Sequence, residues 1–148
     1  MKDDLHVLCR VADADYVLPA QGVLQMESFS SATKVPGAAA HVTGLMQIRG
    51  RVVPVVDLRV VFGFETIAPT IDSRVVVMKH GNRTVALLVD SAREVLKIPA
   101  ADFQSPPPVV VQQTDGLVKA VVQSGARLLM LIDFAKVIGE EEEHGNQS

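Results

Sequence analysis

Three aspartates in this chain each close an apolar run: Val52 to Val56 leads into Asp57, Val85 to Val89 into Asp90, and Leu128 to Ile132 into Asp133. The end of a hydrophobic strand is a place where general acids and bases do occur, so these are the first residues to test for chemistry. Such a site also needs a nucleophile with its base, a metal cluster or a phosphate cradle. The four histidines, His6, His41, His80 and His144, show neither the i, i+4 spacing nor the paired cysteines that metal ligation favours. No Gly-rich phosphate loop and no Gly-x-Ser-x-Gly is present. Cys9 has no neighbour that would lower its pKa, and it reads as a small buried hydrophobe. Glu94, three residues after Ser91, offers a cap or a surface pair. These observations predict no catalytic residue, no metal and no cofactor.

A repeat supplies another reason for the aspartates. Laying Arg51 to Gly63 (RVVPVVDLRVVFG) over Arg127 to Gly139 (RLLMLIDFAKVIG) puts Asp57 on Asp133 at an offset of 76 residues, with four identities and six further apolar matches in 13 positions. Each copy reads as a short strand running into an Asp that caps a helical turn ending at Gly. One structural role then accounts for both acids. A weaker echo relates Val7 to Leu18 and Val75 to Leu87, two strands joined by a polar turn.

The elements that position these residues are short strands. Val7–Val11, Tyr16–Pro19, Val23–Phe29, Gly44–Ile48 and Val52–Val56 are predicted in the first half, and Val75–Lys79, Thr84–Val89, Ala92–Ile98, Leu117–Gln123 and Arg127–Ile132 in the second. The fold class expected is all-β, two pseudo-repeated five-stranded small barrels of SH3/OB-like type packed together, with short helical turns. Lobes near 17–73 and 74–123, with terminal strands exchanged or shared, fit the repeat. Loops or helical turns fall at Val35 to Ala40, Ala68 to Asp72 and the proline run Ser105 to Pro108. Glu140 to Glu143 opens an acidic tail, 140–148, read as disordered. Asn146-Gln147-Ser148 matches a glycosylation triplet without meaning in a cytosolic protein.

Composition excludes several classes. Hydrophobic residues make up 48% of the chain but aromatics only 4%, so the core is built from Val, Leu, Ile and Ala, which favours strands. A formal charge of −3 has the wrong sign for a nucleic-acid footprint, and one Tyr and five Phe, with Phe62, Phe64 and Phe134 in apolar or turn contexts, provide no stacking platform. A lone cysteine gives no sign of an oxidising compartment. The acidic Met1 to Asp4 start is wrong for a signal peptide, and no apolar stretch approaches the roughly 20 residues of a membrane span. A cytoplasmic location is expected.

Tyr16-Val17-Leu18-Pro19 with Val23, followed by Gly44-Leu45-Met46-Gln47-Ile48-Arg49-Gly50-Arg51-Val52-Val53-Pro54-Val55-Val56-Asp57-Leu58-Arg59, resembles the CheW-domain signature. In that signature Gly-Val-x-Asn-Leu-Arg-Gly leads into a strand ending Pro-Val-x-Asp-Leu. Val85 to Asp90, Ser91 and Val95 resemble the family's second conserved stretch, and Pro106 to Pro108 stand where a Pro-rich turn is usual. The resemblance spans Leu5 to Gly139. It marks Gly44, Pro54, Asp57, Asp90 and Asp133 as structural positions. It implies two packed β-barrels and a non-enzymatic adaptor that couples the cytoplasmic tip of methyl-accepting chemoreceptors to the regulatory domain of the histidine kinase CheA. Contacts with other CheW-like domains in arrays, and recruitment to membrane-associated receptor complexes, are implied with it.

The family's receptor-binding positions carry over to Val23, Gln25, Arg49 and Gly50, in a groove between the lobes. There Val23 would meet apolar side chains and Arg49 would hold a carboxylate bidentately. The competing readings are core packing for Val23 and, for Arg49, a partly buried ion pair across the two lobes. Gln47 replaces the usual Asn, and Gln25 stands where an acid is common. The partner could therefore differ: a diverged adaptor of a gliding, pilus or developmental pathway that binds only one of the usual partners is the alternative.

Overall fold

The computed structural model describes residues 4–138. The expectations for Gly139 and for the acidic segment 140–148, together with its glycosylation triplet, lie outside the described residues. All ten predicted strands are present: β1 (Leu5–Val11), β2 (Ala14–Pro19), β3 (Val23–Ser28), β4 (Val42–Ile48), β5 (Arg51–Asp57), β6 (Arg74–His80), β7 (Arg83–Val89), β8 (Ser91–Lys97), β9 (Val118–Ser124) and β10 (Arg127–Ile132). Helix α1 (Leu58–Val61) follows β5, and α2 (Pro108–Gln113) starts on the last proline of the Pro-rich run, whose fixed φ and missing N–H suit a first helical position. Single 3-10 turns lie at Ala20–Gly22 and Ala100–Asp102. Residues 134–138 are helical after β10, as α1 is after β5.

The strands form two five-stranded sheets with the same internal plan. The first has the order β8-β1-β2-β10-β9 and the second β3-β6-β7-β5-β4. Replacing β3 to β7 by β8, β9, β10, β1 and β2 converts one order into the other, so the sequence repeat is also a repeat of topology. Each repeat gives its opening hairpin to the other's sheet: β1 and β2 join β8 to β10, while β6 and β7 join β3 to β5. A cut at residues 73/74 therefore separates the repeats but not the sheets.

Each sheet holds one parallel pair, β5 with β7 and β10 with β2, and the rest is antiparallel. The chain following one edge strand bridges to the opposite edge, Thr33 to Leu45 on β4 and Gln104 to Val121 on β9. This curls each sheet toward the expected barrel and covers part of an edge that would otherwise be open. Gly44 permits the first of these closures, because a Cβ there would run into the Thr33 carbonyl.

Three apolar clusters result. The largest lies between the sheets and takes Val7, Cys9, Val11, Tyr16 and Leu18 from one, and Val56, Val76, Met78, Val85 and Leu87 from the other. Alternate residues of the same strands fill each sheet's own interior: Val53, Val55, Val75, Val77 and Ala86 in the second, and Leu8, Val17, Leu129 and Leu131 in the first. Strands buried on both faces lose the apolar–polar alternation and read as unbroken Val and Leu runs.

Candidate functional site

The three aspartates use their carboxylates to hold the fold. Asp57 is 7% exposed and accepts from the Arg59 backbone N–H at 2.9 Å, capping α1. Asp133 accepts from the Lys136 N–H at 3.1 Å. Their own N–H groups donate to the carbonyls of His41 and Leu117, again 76 residues apart, each at 2.8 Å. Burial is the main influence on Asp57 and pushes its pKa up, against the opposing effects of the Arg59 N–H and guanidinium. The Cys9 thiol is fully buried between the sheets and is pushed up to about 12, which leaves it protonated and unreactive at neutral pH.

Asp90 sits where the chain passes from β7 in the second sheet to β8 in the first. Its two oxygens accept from Arg59 Nε at 2.9 Å and Nη2 at 2.7 Å, a bidentate pair, and one also accepts from the Ala12 N–H at 2.8 Å. Ala12 lies in the β1–β2 turn of the first sheet with φ +55. Asp90 thus ties α1 of one sheet to a hairpin of the other. The ion pair across the two lobes that was the competing reading of Arg49 is made instead by Arg59, which the sequence did not single out.

Arg49 and Gly50 form the two-residue turn between β4 and β5, with φ of +50 and +79, the left-handed geometry of a tight hairpin. Arg49 is exposed. Val23 and Gln25 open β3 directly after the 3-10 turn that carries the chain between the sheets. Val23 is half-buried against the inter-sheet core. Gln25 is half-buried too, and its Nε2 is a buried donor without a partner among the described residues. β3 and β4 are the first and last strands in the sheet's order, and the Thr33–Leu45 bridge draws the chain that follows β3 onto β4. Pro54 lies in the part of β5 that precedes its parallel pairing with β7, where a missing backbone donor is tolerated.

Among the described residues, no three His, Cys, Asp or Glu side chains are grouped to hold a metal, and no helix is long and apolar enough to cross a membrane. An apolar groove of about 360 Å³ is lined by Tyr16, Phe62, Phe64, Val109, Val110 and Met130, with Tyr16 and Phe62 stacked at 4.7 Å. It contains no titratable pair that could act as acid and base.

Two pseudo-symmetric sheets enclose a shared core, and the aspartates that end their strands are engaged in hydrogen bonds within the fold. The chain belongs to the CheW-like domain family, which matches residues 5–142. It is 28% identical over 133 residues to the chemotaxis protein CheW of Rhizobium meliloti (strain 1021), covering 90% of this chain and 86% of that protein. It is 27% identical over 135 residues to CheW of Bacillus subtilis (strain 168), covering 91% and 86%. The crystal structure of the scaffolding protein TtCheW from Thermoanaerobacter tengcongensis superposes with a TM-score of 0.80 at 26% identity, covering 88% of this chain and 84% of that one.

Proposed function

We propose that this chain is a non-enzymatic adaptor that couples methyl-accepting chemoreceptors to the regulatory domain of the histidine kinase CheA. The observation that carries the reading is the agreement of family, fold and length: a CheW-like domain over residues 5–142, with a fold superposing on a scaffolding protein at a TM-score of 0.80. Several relatives are named as chemotaxis proteins. In this reading the adaptor works in the cytoplasm, is recruited to membrane-associated receptor complexes, and can contact further CheW-like domains there. Val23, Gln25, Arg49 and Gly50 face the receptor.

The test uses Arg49→Asn rather than Arg49→Ala. Asn tolerates the left-handed turn that Arg49 occupies, so the charge is removed without adding backbone strain. Binding of an immobilised receptor cytoplasmic fragment should weaken about 30-fold, the scale of a hot-spot side chain of about 2 kcal/mol, with the melting temperature unchanged. Unchanged affinity would remove Arg49 from the receptor face.

A neutral Gln25 with a buried unpartnered donor supports a second reading, a diverged adaptor of a gliding, pilus or developmental pathway. Binding to the kinase domain but not to a chemoreceptor fragment would favour it.

A further inference from the structure

The second sheet gathers cations at one end. β5 and β7 run parallel, so Arg51 at the start of one and Arg83 at the start of the other lie at the same end, with Lys79 and the Arg49–Gly50 turn beside them. Arg49, Arg51 and Lys79 are exposed and Arg83 is half-buried. The hairpins 44–56 and 74–89 that supply them contain no Asp or Glu, although acids outnumber bases 17 to 14 in the chain. The equivalent β1–β2 hairpin of the first sheet carries Asp13 and Asp15 at its turn, and its cation Arg10 is paired with Asp15 at 3.1 Å.

Two further features lie at this end. Val52, between Arg51 and the buried Val53, is 67% exposed. Gln25 Nε2 and Thr84 Oγ1 are buried and unpartnered among the described residues. The register, Gln25 to Val77 to Ala86, puts both on the face that lines this sheet's interior. Both atoms are enclosed in the sheet's interior, so the outer surface at this end is formed by the exposed Arg51, Val52 and Lys79 and the half-buried Arg83.

We propose that this end of the second sheet is a docking surface for an acidic protein segment, one that sets carboxylates against Arg51, Lys79 and Arg83 and an apolar side chain on Val52. Guanidinium groups hold carboxylates bidentately, and an apolar centre ringed by charge is the usual plan of a protein interface. The inference rests on charge and register. The surface adjoins the Arg49–Gly50 turn and Gln25 of the proposed receptor face and adds to them Arg51, Lys79, Arg83 and Val52.

The test is a titration of the isotope-labelled full chain with a peptide of alternating Glu and Leu, followed by amide chemical shifts. Shifts should be confined to residues 46–53 and 77–85. Binding should weaken at least tenfold in R51E/K79E, and also between roughly 50 mM and 500 mM salt, where the screening length shortens severalfold. K119E, on β9 of the first sheet, should bind like the parent. Absent shifts, shifts on the first sheet, or undiminished binding by R51E/K79E would overturn the proposal. So would tighter binding of anionic phosphatidylglycerol vesicles or of single-stranded DNA than of the peptide. If receptor and kinase fragments both fail to bind while the peptide shifts stay at these hairpins, the adaptor reading fails and this inference stands.

Discussion

The two repeats give their matching aspartate the same backbone hydrogen bond and a cap to the turn that follows, from the second N–H at Asp57 and the third at Asp133, and then diverge. Asp57 and Asp133 each receive the N–H of the helical turn they begin, and each donates its own N–H to a carbonyl, His41 or Leu117, at the same offset. Beyond them the first copy has Arg59 and the second Ala135. Arg59 alone reaches Asp90, and through it the β1–β2 turn of the other sheet. The shared aspartate closes each strand in the same way, and Arg59, where the copies differ, joins the two sheets. The β6–β7 hairpin of the second sheet has no acid, whereas its counterpart β1–β2 in the first carries Asp13 and Asp15, the latter paired with Arg10.

The largest expected effect would come from breaking what the repeats share. Leu18 is fully buried in the core between the sheets. Leu18→Ala should cost about 3 kcal/mol in denaturant unfolding while keeping a single transition. Two separated transitions would mean that the sheets are independent domains.

Asp90→Ala strands the Arg59 guanidinium and the Ala12 N–H together. It should cost about 2 kcal/mol, less than a fully buried pair because the two side chains are 17% and 22% exposed. Arg59→Ala makes the first copy resemble the second. A double-mutant cycle of the two should give a coupling of about 1 kcal/mol or more. Additive losses would show that Asp90 and Arg59 act separately.

The caps differ by burial. Asp57→Ala should cost about 1.5 kcal/mol and Asp133→Ala about half that, read as a difference in melting temperature. Equal losses would mean that burial of Asp57 adds nothing.

The smallest effect is one of pH. The native pKa of Asp57 is raised, so the native state binds its proton more readily than the unfolded chain. Its contribution to stability is full below the unfolded value of 3.8 and is lost as pH rises through the raised native value. Asp57→Asn keeps the cap and removes the buried charge. It should be at least as stable as the parent at pH 7, and that advantage should vanish below pH 3.8. An advantage that grows on acidification would contradict the sign.

Much of this was legible because it is local. Ten strands declared themselves as Val- and Leu-rich runs between turn residues, and the Asp caps followed from the repeat. The pairing was not legible. Parallel contacts such as Val55 with Ala86 join residues far apart in the chain, and although the repeat allowed terminal strands to be exchanged, it did not say which strands would pair. The Arg59–Asp90 pair had one available sign, Arg59 facing Ala135, one of the three positions at which the copies disagree. The basic end was hidden by a net charge taken over the whole chain, although the acid-free hairpins 44–56 and 74–89 are visible once charge is counted hairpin by hairpin. For the candidate receptor face, sequence resemblance named Val23, Gln25, Arg49 and Gly50; that they lie on or beside the first and last strands of one sheet follows only from strand order.

The adaptor reading is tested most directly by mixing the full chain with the kinase regulatory domain and with a receptor cytoplasmic fragment, singly and together, and measuring complex mass by size exclusion with light scattering. The account predicts a complex with each and one larger complex containing all three. Competition between the two fragments, or failure of either to bind, would contradict it.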